Sequence, residues 1–145
     1  MFRGRFEHTI DEKGRVSLPA KYREILNLNY DNRLILTNFD HCLLAYPHEE
    51  WLKVEEKVKD LPLIKEDSRA FKRFFISGVS ECNVDRQGRI LIPPILRNYA
   101  KLERVVVFVG QITYFEIWNK DRWDELLSKV TEGDIFNEVA GEIGL

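Results

Sequence analysis

Residues 10–19 read IDEKGRVSLP, and residues 84–93 read VDRQGRILIP. The two stretches share Asp, Gly, Arg and Pro at the same positions, and apolar residues coincide at three more. The match continues along the chain, where residues 33–36 correspond to residues 104–107. Nearly the whole chain is therefore two copies of one unit, with a period too long and copies too few for a solenoid. We expect a duplicated half-fold in which each half completes the core of the other.

Each copy predicts the same order of strands and helices. In the first copy, a D-E-K-G turn joins two short strands, because Asp can bond the backbone ahead of it and Gly supplies a positive φ. We therefore expect these two strands to form a hairpin around the turn. Pro19 suits the first position of the helix that follows. The elements predicted for the first copy are strands over residues 5–10, 15–18, 34–37 and 42–46, and helices over residues 19–26 and 48–61.

The predicted fold class is mixed α/β, mainly β, with two halves that pack together because no long linker separates them. The last helix is predicted over residues 131–143, with Thr131 as its N-cap. The predicted domain organisation is a first domain over residues 5–48, a helical connection over residues 49–76, a second domain over residues 77–120, and C-terminal helices over residues 121–145.

Composition places the chain among globular proteins. Of its 145 residues, 44% are hydrophobic and 32% are charged, which argues against disorder. No apolar run approaches the roughly 18 residues of a membrane span, and the opening residues lack the apolar stretch of a secretory signal. Cys42 and Cys82 form no metal or disulfide pattern, so we expect a reducing cytoplasmic location and buried thiols.

Charge alternates along the chain, although the net charge is only −2. Residues 1–30 carry +2 and residues 69–104 carry +5, whereas residues 31–68 carry −4 and residues 105–145 carry −5. A near-neutral protein can still bind a polyanion when its basic segments share one face. We interpret the acidic segments as solvated helix faces.

Catalytic and metal-binding patterns are weak throughout. The adjacent His41 and Cys42 point apart on a strand or turn and no second pair follows, so the spacing that zinc needs is missing. A Cys–His nucleophilic pair remains open, but nothing in the sequence activates either cysteine. No phosphate-binding loop or nucleophile elbow occurs. Asp11, Glu12 and Asp85 are better explained as turn residues than as acid–base groups. We expect no enzyme activity and no cofactor, metal or small-molecule substrate.

The most informative motif is D-x-x-G-R, which occurs at residues 11–15 and 85–89. Two interpretations are open: the carboxylate ties down the turn and holds its own arginine, or the arginine projects outward to phosphate or guanine. Neighbouring cations favour the second interpretation, because each turn carries one further cationic side chain. In addition, two arginines lie shortly before the first turn. The candidate DNA-binding residues are Arg15, Arg89, Lys13, Arg86, Arg3 and Arg5, and the candidate turn-organising residues are Asp11, Gly14, Asp85 and Gly88.

The stretch MFRGRFEHTIDEKGRVSLPAKYR at residues 1–23, with DRQGRILIPP at residues 85–94, resembles the bacterial MraZ family. The resemblance covers essentially the full chain, including the tryptophan-containing helix after each copy. It implies two SpoVT–AbrB-like domains, each with a D-x-x-x-R signature. The fold that it implies is a pair of duplicated AbrB-like halves, forming a swapped-hairpin, double-psi-like barrel with attached helices. The implied signature pairs are Asp11 with Arg15 and Asp85 with Arg89.

The resemblance also implies a function. Members of that family are transcriptional regulators that bind repeated DNA elements ahead of the division and cell-wall gene cluster, as ring-shaped homo-oligomers. For this chain it implies double-stranded DNA with tandem repeats as the partner, no membrane association, and a nucleoid location. The second turn departs from the first, because Arg86 and Gln87 stand where the first turn has Glu12 and Lys13.

Two rival classes of function remain open beside DNA binding. One is an oligomeric scaffold without DNA specificity, whose acidic helices bind another protein. The other is an enzyme on a barrel of this type, which needs a pocket with convergent polar groups that the sequence does not indicate. DNA binding fits the charge pattern through avidity: each copy offers few cations, and a ring of copies on repeated DNA multiplies weak contacts.

Overall fold

The computed structural model describes residues 1–145 and contains eight strands and six helices. Both halves repeat the predicted order of two strands, a helix, two strands and a helix. The first half comprises β1 (Arg5–Thr9), β2 (Arg15–Ser17), α1 (Ala20–Asn29), β3 (Leu34–Phe39), β4 (Cys42–Pro47) and α2 (His48–Lys59), and α3 (Glu66–Ser77) connects it to the second. The second half comprises β5 (Ser80–Glu81), β6 (Arg89–Leu91), α4 (Pro94–Ala100), β7 (Val105–Gly110), β8 (Phe115–Asn119), α5 (Lys120–Glu132) and α6 (Ile135–Glu142).

The fold is mixed α/β with antiparallel sheets and duplicated halves, which confirms the predicted mixed α/β class, although helices rather than strands make up the larger share. Strands account for 26% of the chain and helices for 43%. The helical share is the larger one because α2, α3, α5 and α6 are attached outside the strands that the two halves share.

The two halves exchange their first strands. One sheet has six strands in the order β1-β7-β8-β4-β3-β5, and a second sheet consists of β2 and β6 alone. Thus β1 of the first half pairs with β7 of the second, and β5 of the second half pairs with β3 of the first. Neither half can complete its sheet without the other, as the repeat predicted.

The exchange overturns one local prediction. The strands on either side of each turn were expected to form a hairpin, but β1 pairs with β7 and β2 pairs with β6. The two arms of each turn are joined only next to the turn itself, where the Asp11 amide donates to the Arg15 carbonyl (3.0 Å) and the Asp85 amide donates to the Arg89 carbonyl (2.9 Å). Each arm pairs instead with a strand of the other half, so the two arms of one turn continue into different sheets.

The six-stranded sheet is buried on both faces. On one face lie α1, α4 and the β2/β6 pair, and Val16 and Ile90 of that pair reach the core beside Tyr22. On the other face, Trp51 of α2 and Phe75 of α3 pack against the sheet. Because the β2/β6 pair is a covering layer with one face on the core, its second face points to solvent.

Three of the helices begin directly after a proline. Pro19, Pro47 and Pro93 occupy the N-cap positions of α1, α2 and α4 with φ between −53° and −61°, where the missing N–H of proline costs nothing. The predicted cap Thr131 is wrong, because α5 continues to Glu132. The Thr131 hydroxyl donates back to the carbonyls of α5, and α6 starts at Ile135.

Both cysteines are free and buried, as expected. Burial raises the pKa of the Cys42 thiol, and the nearby Glu116 carboxylate adds to that effect. A thiol with a raised pKa is a poor nucleophile at neutral pH. No three His, Cys, Asp or Glu side chains are grouped so as to hold a metal ion. None of the six helices has the length and apolarity needed to cross a bilayer.

Candidate nucleic-acid interface

The β2/β6 pair forms a short antiparallel ribbon with one buried and one exposed face. In its register, Val16 lies opposite Ile90, and each is only 1% exposed. Side chains alternate along a strand, so the flanking residues point the other way, to solvent. The outer face of this β2/β6 ribbon therefore consists of Arg15, Ser17, Arg89 and Leu91.

The two arginines of the outer face lie on a diagonal of the ribbon. Arg15 is opposite Leu91, and Arg89 is opposite Ser17. Diagonal neighbours of this kind are separated by roughly 7–8 Å in an antiparallel pair. The internal repeat thus places one arginine from each half on the same surface, related by the approximate two-fold symmetry of the halves.

The carboxylate of Asp11 organises the first turn. Its Oδ1 atom accepts hydrogen bonds from the amides of Lys13 (3.0 Å) and Arg15 (2.9 Å), and its Oδ2 atom accepts from Arg15 Nε at 2.8 Å. These donors, with the Arg15 amide foremost, hold the pKa of Asp11 below its ordinary value.

The second turn repeats this arrangement on Asp85. Its Oδ1 atom accepts from the amides of Gln87 (2.8 Å) and Arg89 (3.0 Å), and its Oδ2 atom accepts from Arg89 Nε at 3.3 Å. The pKa of Asp85 is likewise lowered, chiefly by the Arg89 amide. Both aspartates are therefore ionised turn residues with their acceptors already engaged.

The contact between each aspartate and its arginine leaves much of the guanidinium free. Each carboxylate takes the Nε edge, and the terminal nitrogens of Arg15 and Arg89 make no hydrogen bond within the chain. The side chains are 39% and 33% exposed. The two interpretations of the motif are thus compatible: the aspartate orients its own arginine by one edge, and the terminal nitrogens remain available for an external acceptor.

The turn glycines dock each turn onto the opposite half. Gly14 and Gly88 have φ of +91° and +76°. The Gly14 carbonyl accepts from the Ile92 amide, and the Gly88 carbonyl accepts from the Leu18 amide, both at 2.9 Å. A Cβ on Gly14 would lie 2.7 Å from the Ile92 carbonyl oxygen. Only glycine combines this backbone conformation with so close an approach.

We expect Gly14→Ala to destabilise the protein. A residue with a Cβ pays about 1–2 kcal/mol for a left-handed conformation, and the contact with the Ile92 carbonyl adds to that cost. The measurement is the free energy of unfolding from a urea titration. The matched control is Gly141→Ala, because a Cβ there meets nothing within 4 Å and alanine favours a helix. Equal stability of the two variants would show that the turn is not held in this conformation.

Two further arginines support the turns and were not singled out from the sequence. Arg97 of α4 packs over Gly14 and donates through Nε to the Ile92 carbonyl at 2.9 Å. Arg23 of α1 packs over Gly88 in the same way, but its buried Nε has no hydrogen-bond partner. The signal available in the sequence was their equivalence in the internal repeat.

The remaining candidate cations fall into two groups. Lys13 and Arg86 lie in the turns at the two ends of the β2/β6 ribbon, exposed and without an ion pair in the chain. Arg3 and Arg5 are not brought to the ribbon. Arg5 starts β1, about 20 Å of extended chain before the turn, and stacks over the ring of Trp123 at 5.9 Å.

Comparison with known proteins identifies close relatives. A family model described as "MraZ protein, putative antitoxin-like" matches residues 1–74 and again residues 75–144. A protein of Caldanaerobacter subterraneus named "Transcriptional regulator MraZ" is 52% identical over 97% of this chain and 94% of its own length. Proteins of the same name from Desulforamulus reducens and Moorella thermoacetica are 52% and 46% identical over 86% and 91% of this chain, and 85% and 90% of their own lengths.

Similarity to a solved structure is much weaker. The solution structure of PHS018 from Pyrococcus horikoshii aligns with 81% of this chain and 88% of that chain, at 14% sequence identity and a TM-score of 0.34.

Proposed function

Because this chain belongs to the MraZ family, we propose that it is a transcriptional regulator that binds specific DNA sequences through the outer face of the β2/β6 ribbon. The relatives named above are regulators of transcription. The residues proposed to contact DNA bases are Arg15 and Arg89, with Lys13 and Arg86 on the flanking phosphates.

The outer face of the β2/β6 ribbon is the observation that supports this function most directly. A two-stranded ribbon fits the major groove of B-DNA, and arginine pairs bidentately with the O6 and N7 atoms of guanine. Arg15 and Arg89 project from that face with their terminal nitrogens free. Lys13 and Arg86 sit at its two ends, where the groove is bounded by phosphates.

Assembly is the second part of the proposal. A single ribbon offers four cations, and each phosphate contact is weakened by salt. We propose that the chain forms a ring and binds tandem repeats upstream of its own operon, in the division and cell-wall gene cluster. Its location is then the cytoplasm, on the nucleoid. We also propose that the chain has two domains, at residues 5–48 and 77–120. Residues 49–76 connect them, and residues 121–145 follow the second.

A gel-shift experiment tests DNA binding itself. The duplex is the region upstream of the gene for this chain, and the control is a scrambled duplex of the same composition. We expect a shift that is selective for the upstream duplex at two salt concentrations and that weakens steeply at the higher one. Equal binding to both duplexes would contradict sequence-specific recognition and favour the scaffold alternative. Footprinting then locates the protected repeats.

Asp11→Ala is expected to weaken DNA binding although it makes the protein more positive. Without the carboxylate, the amides of Lys13 and Arg15 and the Nε of Arg15 lose their acceptor, so the turn is no longer held in place. Asp11→Asn is the matched comparison, because its amide oxygen can still accept from the two backbone amides. We expect its affinity to lie between those of Asp11→Ala and wild type. Tighter binding by Asp11→Ala at low salt would contradict a turn-organising role.

The lowered pKa of Asp11 sets the pH range of this effect. A carboxyl group whose pKa is lower in the folded state stabilises the fold above its unfolded pKa of about 3.9. This stabilisation is lost only as the pH falls through the lower pKa that the carboxyl group has in the folded state. DNA binding by the wild type therefore does not change through Asp11 between pH 6 and 8.

A further inference from the structure

The C-terminal helix α6 leaves its apolar side chains in solvent. Ile135, Phe136 and Val139 are 64%, 62% and 49% exposed, and Ile143 just beyond the helix is 69% exposed. Their spacing places all four on one face. The helix packs against α5, but none of its residues is buried. An apolar helix face of this kind requires a partner that the single chain does not provide.

The same helix and the residues that flank it carry only acidic charges. Residues 131–145 carry four acidic side chains and no cation. Glu138 and Glu142 are one turn apart, at one edge of the apolar face, and neither forms an ion pair within the chain. The partner of α6 should therefore combine apolar surface with free cations.

A groove with these properties lies on the outer side of α3. It has a volume of about 690 Å³. Arg69 donates through Nη1 to the carbonyls of Leu63 and Ile64, both at 2.8 Å, which fixes the segment between α2 and α3 as one wall of the groove. Two cations on α3, Lys72 and Arg73, make no ion pair within the chain. The residues that line the groove include Leu61, Pro62, Leu63, Lys72, Arg73 and Ile76.

We propose that this groove receives α6 of a second copy of the chain. Docking covers the apolar face of α6 with Leu61, Leu63 and Ile76, in the manner of an amphipathic helix bound in a groove. Glu138 and Glu142 then face Lys72 and Arg73, so that four unpaired charges on two surfaces neutralise each other. The C-terminal helix of another copy is the occupant because its apolar face and its charge both complement the groove.

The occupant comes from another copy because the two surfaces lie over different parts of the sheet. The groove is carried by α3, which packs on β3, whereas α6 is attached to α5, which packs on β7 and β8. Two strands separate β3 from β7 in the sheet order. A contact between two different surfaces is head-to-tail, and it closes into a ring when the rotation between copies divides a full turn. The inference thus supplies the contact for the ring proposed above and rests on that proposal.

The test measures the mass of the full chain in solution by light scattering across a dilution series. Phe136→Asp puts a charge on the apolar face at a side chain that is already 62% exposed, so the fold is retained. Lys72→Glu with Arg73→Glu reverses the charge of the groove. Each is expected to raise the concentration at which the ring dissociates by at least about tenfold.

A compensating variant separates specific docking from general damage. Adding Glu138→Lys and Glu142→Lys to the reversed groove should restore the ring, because the charges again complement each other. The matched control is Lys53→Glu with Lys101→Glu, which makes the same change in net charge away from the groove and should keep the ring. If the variant with all four substitutions does not form the ring, the docking of α6 in this groove is wrong.

The remaining outcomes distinguish this inference from the proposed function. If the wild type forms a ring and the α6 and α3 variants form it equally well, the docking is wrong and the ring stands. If the wild type is a single 17.2 kDa chain at every concentration, both the ring and the docking are wrong. DNA binding is measured separately on a duplex with one repeat. A variant that no longer forms the ring should bind this duplex like a single wild-type chain, and its binding should still be weakened by Arg15→Ala.

Discussion

Arg15→Ala is expected to reduce specific DNA binding by at least about fivefold at a single site while leaving the fold intact. Arg15 presents its terminal nitrogens from the outer face of the β2/β6 ribbon, and the loss of one bidentate arginine–guanine contact costs about 1–3 kcal/mol, roughly 5- to 150-fold in affinity. The turn survives, because alanine retains the amide that donates to Asp11 Oδ1. In a ring, the loss is repeated at every copy that contacts DNA, so binding to tandem repeats should become undetectable.

The measurement is fluorescence anisotropy with the upstream duplex, and Arg33→Ala is the matched control. Arg33 is also an exposed arginine held by a neighbouring aspartate, with Nε and Nη2 at 3.0 and 2.8 Å from Asp31 Oδ2, but it lies just before β3. The Arg33→Ala variant should bind DNA like the wild type. Arg89→Ala should act in the same direction as Arg15→Ala, though less strongly, because Gln87 stands where the first turn has Lys13. Unchanged affinity of Arg15→Ala would exclude the ribbon as the interface.

Affinity should climb steeply with the number of DNA repeats. When duplexes with one, two, three and four repeats are compared, we expect the dissociation constant to fall by a factor of about 10² or more from one repeat to four. The reason is that each further contact is made at high effective concentration. The slope of log affinity against log salt should grow as well, because more phosphates are neutralised. Titrations at three salt concentrations measure both quantities.

Spacing provides the control for this second prediction. Inserting about 5 base pairs between repeats turns the next site to the opposite side of the duplex, so most of the gain should disappear. Inserting a full helical turn should recover part of it. If a single repeat binds as tightly as four, with the same salt slope, one chain suffices and the ring has another purpose.

The order of the elements could be predicted from the sequence, but the strand partners could not. Local signals mark the strands, the turns and the prolines that precede α1, α2 and α4. That β1 pairs with β7 rather than β2 depends on contacts between residues about a hundred positions apart, which no local pattern records. The end of α5 was misplaced because Thr131, a good N-cap by type, instead returns its hydroxyl to the preceding turn of the helix.

The candidate site was predictable where it rests on spacing within a turn. Asp11 and Arg15 were paired correctly because the turn brings residues four apart together. That both arginines lie on one ribbon required the register of β2 with β6, which joins residues more than seventy apart. Arg23 and Arg97 were missed as turn supports for a related reason, since each packs over a glycine of the opposite half.

The joining of β2 and β6 in a single chain has a consequence for the symmetry of the target. A protein with only one half could build such a ribbon only by dimerising, and identical ends would then read a palindrome, because operator symmetry mirrors protein symmetry. Here the two ends are encoded separately and already differ, with Glu12 and Lys13 at one end and Arg86 and Gln87 at the other. If the ribbon binds DNA as proposed, we therefore expect each recognised sequence to be directional and successive sites to be direct repeats rather than inverted ones.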